Sequence, residues 1–183
     1  MRKYKRLREQ GASYFFTLVT HERRKLFLEA ETVELLSSSI ATVQERHPFE
    51  LAALVVLPDH LHALWQLPSH DADYPTRWRL IKERFTKAWV KRHGPTNPNA
   101  SRLAKGEQAL WQRRYWEHLI RDDEDFGPHL DYIHLNPVHH GLADAPKNWP
   151  HSSFAAWVAE GVYEAGWGSD EKPQLPEWAR SFE

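Results

Sequence analysis

The sequence predicts an α+β fold, an antiparallel sheet with helices mainly on one face. Two observations predict it. The hydrophobic repeat switches between the two-residue period of strands and the 3.6-residue period of helices in the order β, α, β, β, α, β, α. The second and third strands are also joined by only three residues, too few for a parallel crossover, so they pair as a hairpin. That order is the one found in ferredoxin-like sandwiches. With 183 residues the chain has length for one core and an appendage rather than two large domains.

Each element follows from its residues. Ser13 to Thr20 is a strand rich in aromatic and β-branched residues. Glu29 to Arg46 carries Val33, Leu35, Leu36, Ile40 and Val43 near helical spacing. Phe49 to Leu57 and Leu61 to Leu67 are apolar runs of strand length around Pro58-Asp59-His60. Thr76 to Arg92 interleaves Trp78, Ile81, Phe85, Trp89 and Val90 with basic residues, an amphipathic helix with a basic outer face. Gly94 to Gly106, punctuated by Pro95 and Pro98, is expected as a loop. Ala109 to Ile120 is expected as the last strand. Asp122 or Asp125 then caps a helix with Pro128 in its first turn, ending at Asn136-Pro137. After Gly141 short Trp-, Pro- and Gly-punctuated pieces should wrap the core. The expected division is residues 1–154 as the main domain and 155–183 as an irregular C-terminal extension.

Composition narrows the chemistry. There is no cysteine, which removes disulfides, thiolate metal sites and a thiol nucleophile. No apolar run is long enough for a membrane span and no signal-peptide core follows the basic start, so the expected location is the cytoplasm. The net charge of −1 conceals segregation. Met1 to Lys25 holds eight Lys/Arg against two Glu, and Pro75 to Tyr115 holds eleven against two, whereas Trp116 to the end holds four against thirteen acidic residues. Two basic blocks with interspersed Trp78, Trp89, Trp111 and Trp116 fit a polyanion whose bases can stack. A solvated basic helix face and core tryptophans are the plainer alternative.

Two constellations carry chemistry. His60 and His62, at i and i+2 on a strand, share a face and can offer two imidazoles to one metal. Asp59 beside them is a further oxygen donor without an assigned role. Tyr132 and Asn136, at i and i+4, share a helix face. A half-buried structural tyrosine and a helix-terminating asparagine are the alternatives there. His139 and His140 fit the negative end of the helix dipole. No P-loop, dinucleotide fingerprint or His-Glu-x-x-His motif is present.

Four runs, Val55-Val56-Leu57-Pro58-Asp59-His60-Leu61-His62-Ala63-Leu64-Trp65, Trp111-Gln112-Arg113-Arg114-Tyr115-Trp116-Glu117-His118, Asp131 to Gly141 and Asn148-Trp149-Pro150-His151-Ser152-Ser153-Phe154, together resemble the REP-associated tyrosine transposases. These belong to the wider single-tyrosine, His-hydrophobic-His transposase group. The resemblance spans about residues 14–154. It implies a ferredoxin-like endonuclease and strand transferase acting on single-stranded hairpin DNA through a 5′-phosphotyrosine. It also implies Tyr132 as nucleophile and His60 and His62 as ligands of Mg²⁺ or Mn²⁺. Asn136 stands where insertion-sequence relatives often carry Gln, and is the expected third ligand. Tyr115, in a basic segment, is the rival nucleophile. DNA contacts are expected from Arg2, Lys3, Lys5, Arg6, Arg8, Arg77, Lys82, Arg84, Lys87, Arg113 and Arg114. A monomer is favoured, with a homodimer as the alternative. Two other functions fit the same residues: a hairpin-binding module without catalysis, and a hydrolase using metal-bound water.

Overall fold

A computed structural model describes residues 7–169 and 178–179 of the chain. Four strands, β1 (Ser13–Val19), β2 (Glu50–Val56), β3 (His60–Gln66) and β4 (Trp116–Leu119), form one antiparallel sheet in the order β2-β3-β1-β4. The two central strands are buried along almost their whole length, which is why both read as near-continuous apolar runs.

The alternation of side chains builds a core on each side. Tyr14, Phe16 and Leu18 of β1 and Leu61, Ala63 and Trp65 of β3 face α1 (Ala30–Arg46) and α2 (Tyr74–His93). Phe15 and Leu64 face the other way, toward Leu130, Tyr132 and Ile133 of α4 (Asp123–His139). The two long helices α1 and α2 thus share one face, and α4 crosses the opposite one. The first core is aromatic: Trp65 stacks between Phe49, at 4.0 Å, and Trp78, at 4.1 Å. Trp78 and Trp111 are therefore packing residues rather than exposed base platforms. Trp89 and Trp116 are half-buried.

Local signals explain the helix boundaries. Asp73 accepts a hydrogen bond from the Thr76 N–H, Pro75 occupies the first turn of α2, and Gly94 closes that helix at φ 83°. Asp122 accepts from the Asp125 N–H, and three acidic residues in the first turn of α4 complement its dipole.

Three expectations are corrected. The last strand covers only Trp116–Leu119. Leu110 and Gln112 still bond β1 through His21 and Val19, but Arg113 leaves the ladder for Glu107 and Ser101, and pairing resumes only at Trp116. The 94–106 stretch holds a short helix, α3 (Ala100–Leu103), capped by Asn99. α4 continues through Pro137 to His139, and Pro128 lies in its second turn rather than its first, because Asp122 is the cap. The packing of Leu130 and Ile133 on the sheet holds this helix together despite the two missing N–H donors.

After α4 the chain returns to β2, where Ser153 bonds the Leu54 N–H and Trp149 and Trp157 donate to the carbonyls of Val56 and Ala52. α5 (Phe154–Ala159), Tyr163, Trp167 and Trp178 complete the second core. Among the described residues no helix is long and apolar enough to cross a membrane.

Candidate active site and nucleic-acid interface

On the α4 face of the sheet, the β3 pleat places His60 and His62 side by side with ring centroids 5.1 Å apart. The ring of Tyr132, from α4, lies 5.0 Å from that of His62, and the ring of His140, just past the helix end, lies 5.2 Å from that of His60. Asn136, one turn after Tyr132, is fully buried, and both of its amide atoms lack a hydrogen-bond partner, as does Nε2 of His62. Such orphaned polar atoms are costly and call for a ligand.

The outer nitrogens of the two histidines are already engaged. Nδ1 of His60 lies 2.6 Å from Asp59 Oδ1, and Nδ1 of His62 lies 2.9 Å from Thr17 Oγ1. A carboxylate only accepts, so Nδ1 of His60 carries a hydrogen, and Nε2 is the atom left to face a ligand. Thr17 faces His62 directly across the β1–β3 ladder. Asp59 is held in turn by Arg23, 3.4 Å away, which sits with Glu22 in a left-handed turn at φ 49° and 56°. Burial alone would raise the Asp59 carboxyl, but the hydrogen bond and charge of His60, with Arg23, outweigh it and keep it ionised. Burial holds His62 well below the ordinary histidine range, reinforced by His60, His140 and Arg23. A neutral imidazole in a water-poor site is the form that binds metals. The residues present therefore fit a divalent cation: the Nε2 atoms of two imidazoles whose Nδ1 atoms are engaged elsewhere, and a buried amide oxygen.

Tyr115 lies on the other side of the sheet, against Phe16 and Trp78, so the sheet separates it from the histidine pair. It lines a groove of about 820 Å³ between α2 and the 102–115 segment, together with Lys82, Lys87, Arg102, Trp111 and Arg113. Of the expected DNA contacts, Lys82, Lys87 and Arg113 thus share one groove, and Arg8, Arg84 and Arg114 are exposed. Arg113 is partly committed to Glu107 at 2.8 Å. Arg2, Lys3, Lys5 and Arg6 fall outside the described residues. Arg77 is a correction: it is 2% exposed and donates to the carbonyls of His47, Pro48 and Asp73 and to the Asp71 carboxylate, which makes it a structural clamp.

Sequence reasoning passed over Thr17, Arg102 and His134. Thr17 is the one aliphatic hydroxyl between Tyr14 and Val19 of its strand, but its partner lies 45 residues away. Arg102 gave none: it came from a Pro-rich loop, yet it is buried and bonds the carbonyls of Trp111 and Gln108.

Comparison with known proteins identifies the family of the chain. The family model described as Transposase IS200 like matches residues 9–136. A Haemophilus influenzae protein named as a candidate REP-associated tyrosine transposase is 41% identical over 170 residues, covering 93% of this chain and 95% of that one. The REP-associated tyrosine transposase of Escherichia coli is 38% identical over 170 residues, with 93% of each covered. The solved structure of a REP-associated tyrosine transposase bound to a REP hairpin superposes with a TM-score of 0.78 at 37% identity, over 95% of this chain and 94% of that one. Agreement in length and fold at this identity leaves one assignment: the chain belongs to the IS200-like transposases, in the group of REP-associated tyrosine transposases.

Proposed function

We propose that the protein is a metal-dependent single-stranded DNA endonuclease and strand transferase that acts on hairpin-forming repeats through a 5′-phosphotyrosine at Tyr132. The observation that carries this reading is the Tyr132 ring lying 5.0 Å from His62, beside an imidazole nitrogen and a buried amide that have no protein partner.

A divalent cation such as Mg²⁺ or Mn²⁺, held by His60, His62 and Asn136, would polarise a non-bridging phosphoryl oxygen. The chain's own residues do the rest. Asp59 and Thr17 fix the two imidazoles in their ligand orientation. Burial on α4 holds the ring of Tyr132 beside that of His62, so attack becomes a matter of approach rather than search. The Tyr132 oxygen forms a bond to phosphorus as the bond to the 3′ oxygen breaks. The phenol loses one proton and the 3′ hydroxyl gains one, and the phosphodiester energy is kept in the new ester. Reversal onto another 3′ hydroxyl completes transfer without ATP, in keeping with a sequence lacking a P-loop.

The hairpin partner is carried over from the relative solved with a REP hairpin. The basic groove beside α2 is the surface we assign to it, since Lys82, Lys87 and Arg113 converge there beside the half-buried Tyr115. The test is incubation with single-stranded hairpin DNA and Mn²⁺, resolved on a denaturing gel. A covalent protein–DNA adduct that disappears with EDTA or in Tyr132→Phe is expected. Cleavage without any adduct would instead identify a hydrolase, and binding without cleavage a passive hairpin-binding module.

A further inference from the structure

We propose that His118, Asp125 and His129 form a second divalent-metal site, separate from the His60/His62 pair, which takes an ion of the zinc and cobalt class and pins β4 to the helix carrying Tyr132. One ligand atom from each of the three residues lies within 4.8 Å of the other two. Nε2 of His118 is 2.9 Å from Asp125 Oδ2, about half an ångström inside the ~3.4 Å ligand–ligand edge that tetrahedral bonds of about 2.1 Å produce, so an ion would replace this hydrogen bond with a small parting of the two groups.

The ligands come from two elements. His118 sits on β4, while Asp125 and His129 are i and i+4 on the first turns of α4. Their rings are ordered without any ion: the imidazoles of His118 and His129 stack at 4.7 Å and 12°, and Trp178 covers His129 at 4.0 Å. His129 is 2% exposed; its Nδ1 engages the Asp125 carbonyl at 2.7 Å and lies 3.4 Å from Asp125 Oδ1, while its Nε2 is buried with no partner. A backbone-anchored Nδ1 with a vacant Nε2 is the usual disposition of a histidine that ligates metal. Asp125 is further oriented by the N–H and Nε of Arg121, both at 3.1 Å. His118 remains partly open to solvent, which provides an entry path and room for a water in the fourth position. Two imidazoles and one carboxylate favour Zn²⁺ or Co²⁺ over Mg²⁺.

The test is Co²⁺ titration of the full chain, followed by visible d–d absorption and by metal content after gel filtration. The wild type should bind two ions per chain, and His60→Ala/His62→Ala should retain one. Adding Asp125→Asn, which is nearly isosteric, or His118→Asn should remove that ion together with its rise in melting temperature. Loss of all binding in His60→Ala/His62→Ala alone overturns the second site and leaves the proposed function standing. Binding lost in Asp125→Asn but unchanged in His60→Ala/His62→Ala upholds the second site and overturns the histidine pair as metal ligands. Unaltered stoichiometry in both Asp125→Asn and His118→Asn overturns the proposal.

Discussion

His62 lies in the middle of a fully buried strand, and its single observed polar partner is the Thr17 hydroxyl. Replacing Thr17 with Val keeps the shape and removes that partner, so the imidazole loses its orientation while the strand pairing survives. The metal concentration giving half-maximal adduct should rise about 10- to 100-fold, the usual cost of removing an outer-shell partner. An unchanged metal requirement would argue against His62 as a ligand. A second buried imidazole behaves differently. His134, bonded to Ser153 at 2.9 Å, is pushed by burial from 6.5 to about 4. Its folded form resists protonation, so its contribution is complete above the unfolded value and is lost as pH falls from about 6.5 toward 4. That amounts to on the order of 3 kcal/mol. Melting curves at pH 7 and 4.5 should therefore show a smaller pH-dependent drop for His134→Gln than for the wild type; His62 and His129 shift in the same direction and contribute to both. The shared faces of the His-x-His pair and of Tyr132 and Asn136 were legible in the sequence because they rest on periodicity, whereas the roles expected of these residues came from the family resemblance. Thr17 and His134 acquire meaning only from the partner opposite, which the chain places 45 and 19 residues away.

Helices and strands were recovered where one face of a regular element decides the pattern, as in α1, α2 and the β2–β3 hairpin. The limits of β4 and α4 were set by other forces. Arg113 is drawn out of the sheet by Glu107, and α4 runs on past Pro137 because its apolar face is anchored on Phe15 and Val55. Arg77 shows the same limit: among basic neighbours on α2 it looks like a phosphate contact, yet it ties the start of α2 to the α1–β2 turn through His47 and Pro48. Arg77→Met removes the side-chain donor from three carbonyls and the Asp71 carboxylate. Denaturant unfolding should show a loss of about 3 kcal/mol, and the folded fraction should bind hairpin DNA as well as the wild type. Weakened binding with unchanged stability would return Arg77 to the DNA interface.

The sheet gives the whole molecule two working sides. Tyr132 and the histidine pair lie on the α4 side, and the basic groove lies beyond the sheet, beside α2. The near-neutral total is then an average over a basic surface and an acidic C-terminal portion, and it says little about affinity for a polyanion. If the groove holds the hairpin while the other side cleaves the attached single strand, binding and chemistry are separable by mutation. Lys87→Glu changes a groove residue and Arg114→Glu the exposed residue between the groove-lining Arg113 and Tyr115, both on the side of the sheet away from Tyr132. Each should weaken hairpin binding, and the neutral versions Lys87→Ala and Arg114→Ala should each flatten the dependence of log affinity on log salt by roughly one unit. At saturating DNA the rate of adduct formation should match the wild type, since no group near Tyr132 has changed. Tyr132→Phe should give the reverse pattern, with wild-type affinity and salt slope and no adduct. A groove variant that slows the adduct at saturation would mean that the hairpin spans both sides of the sheet.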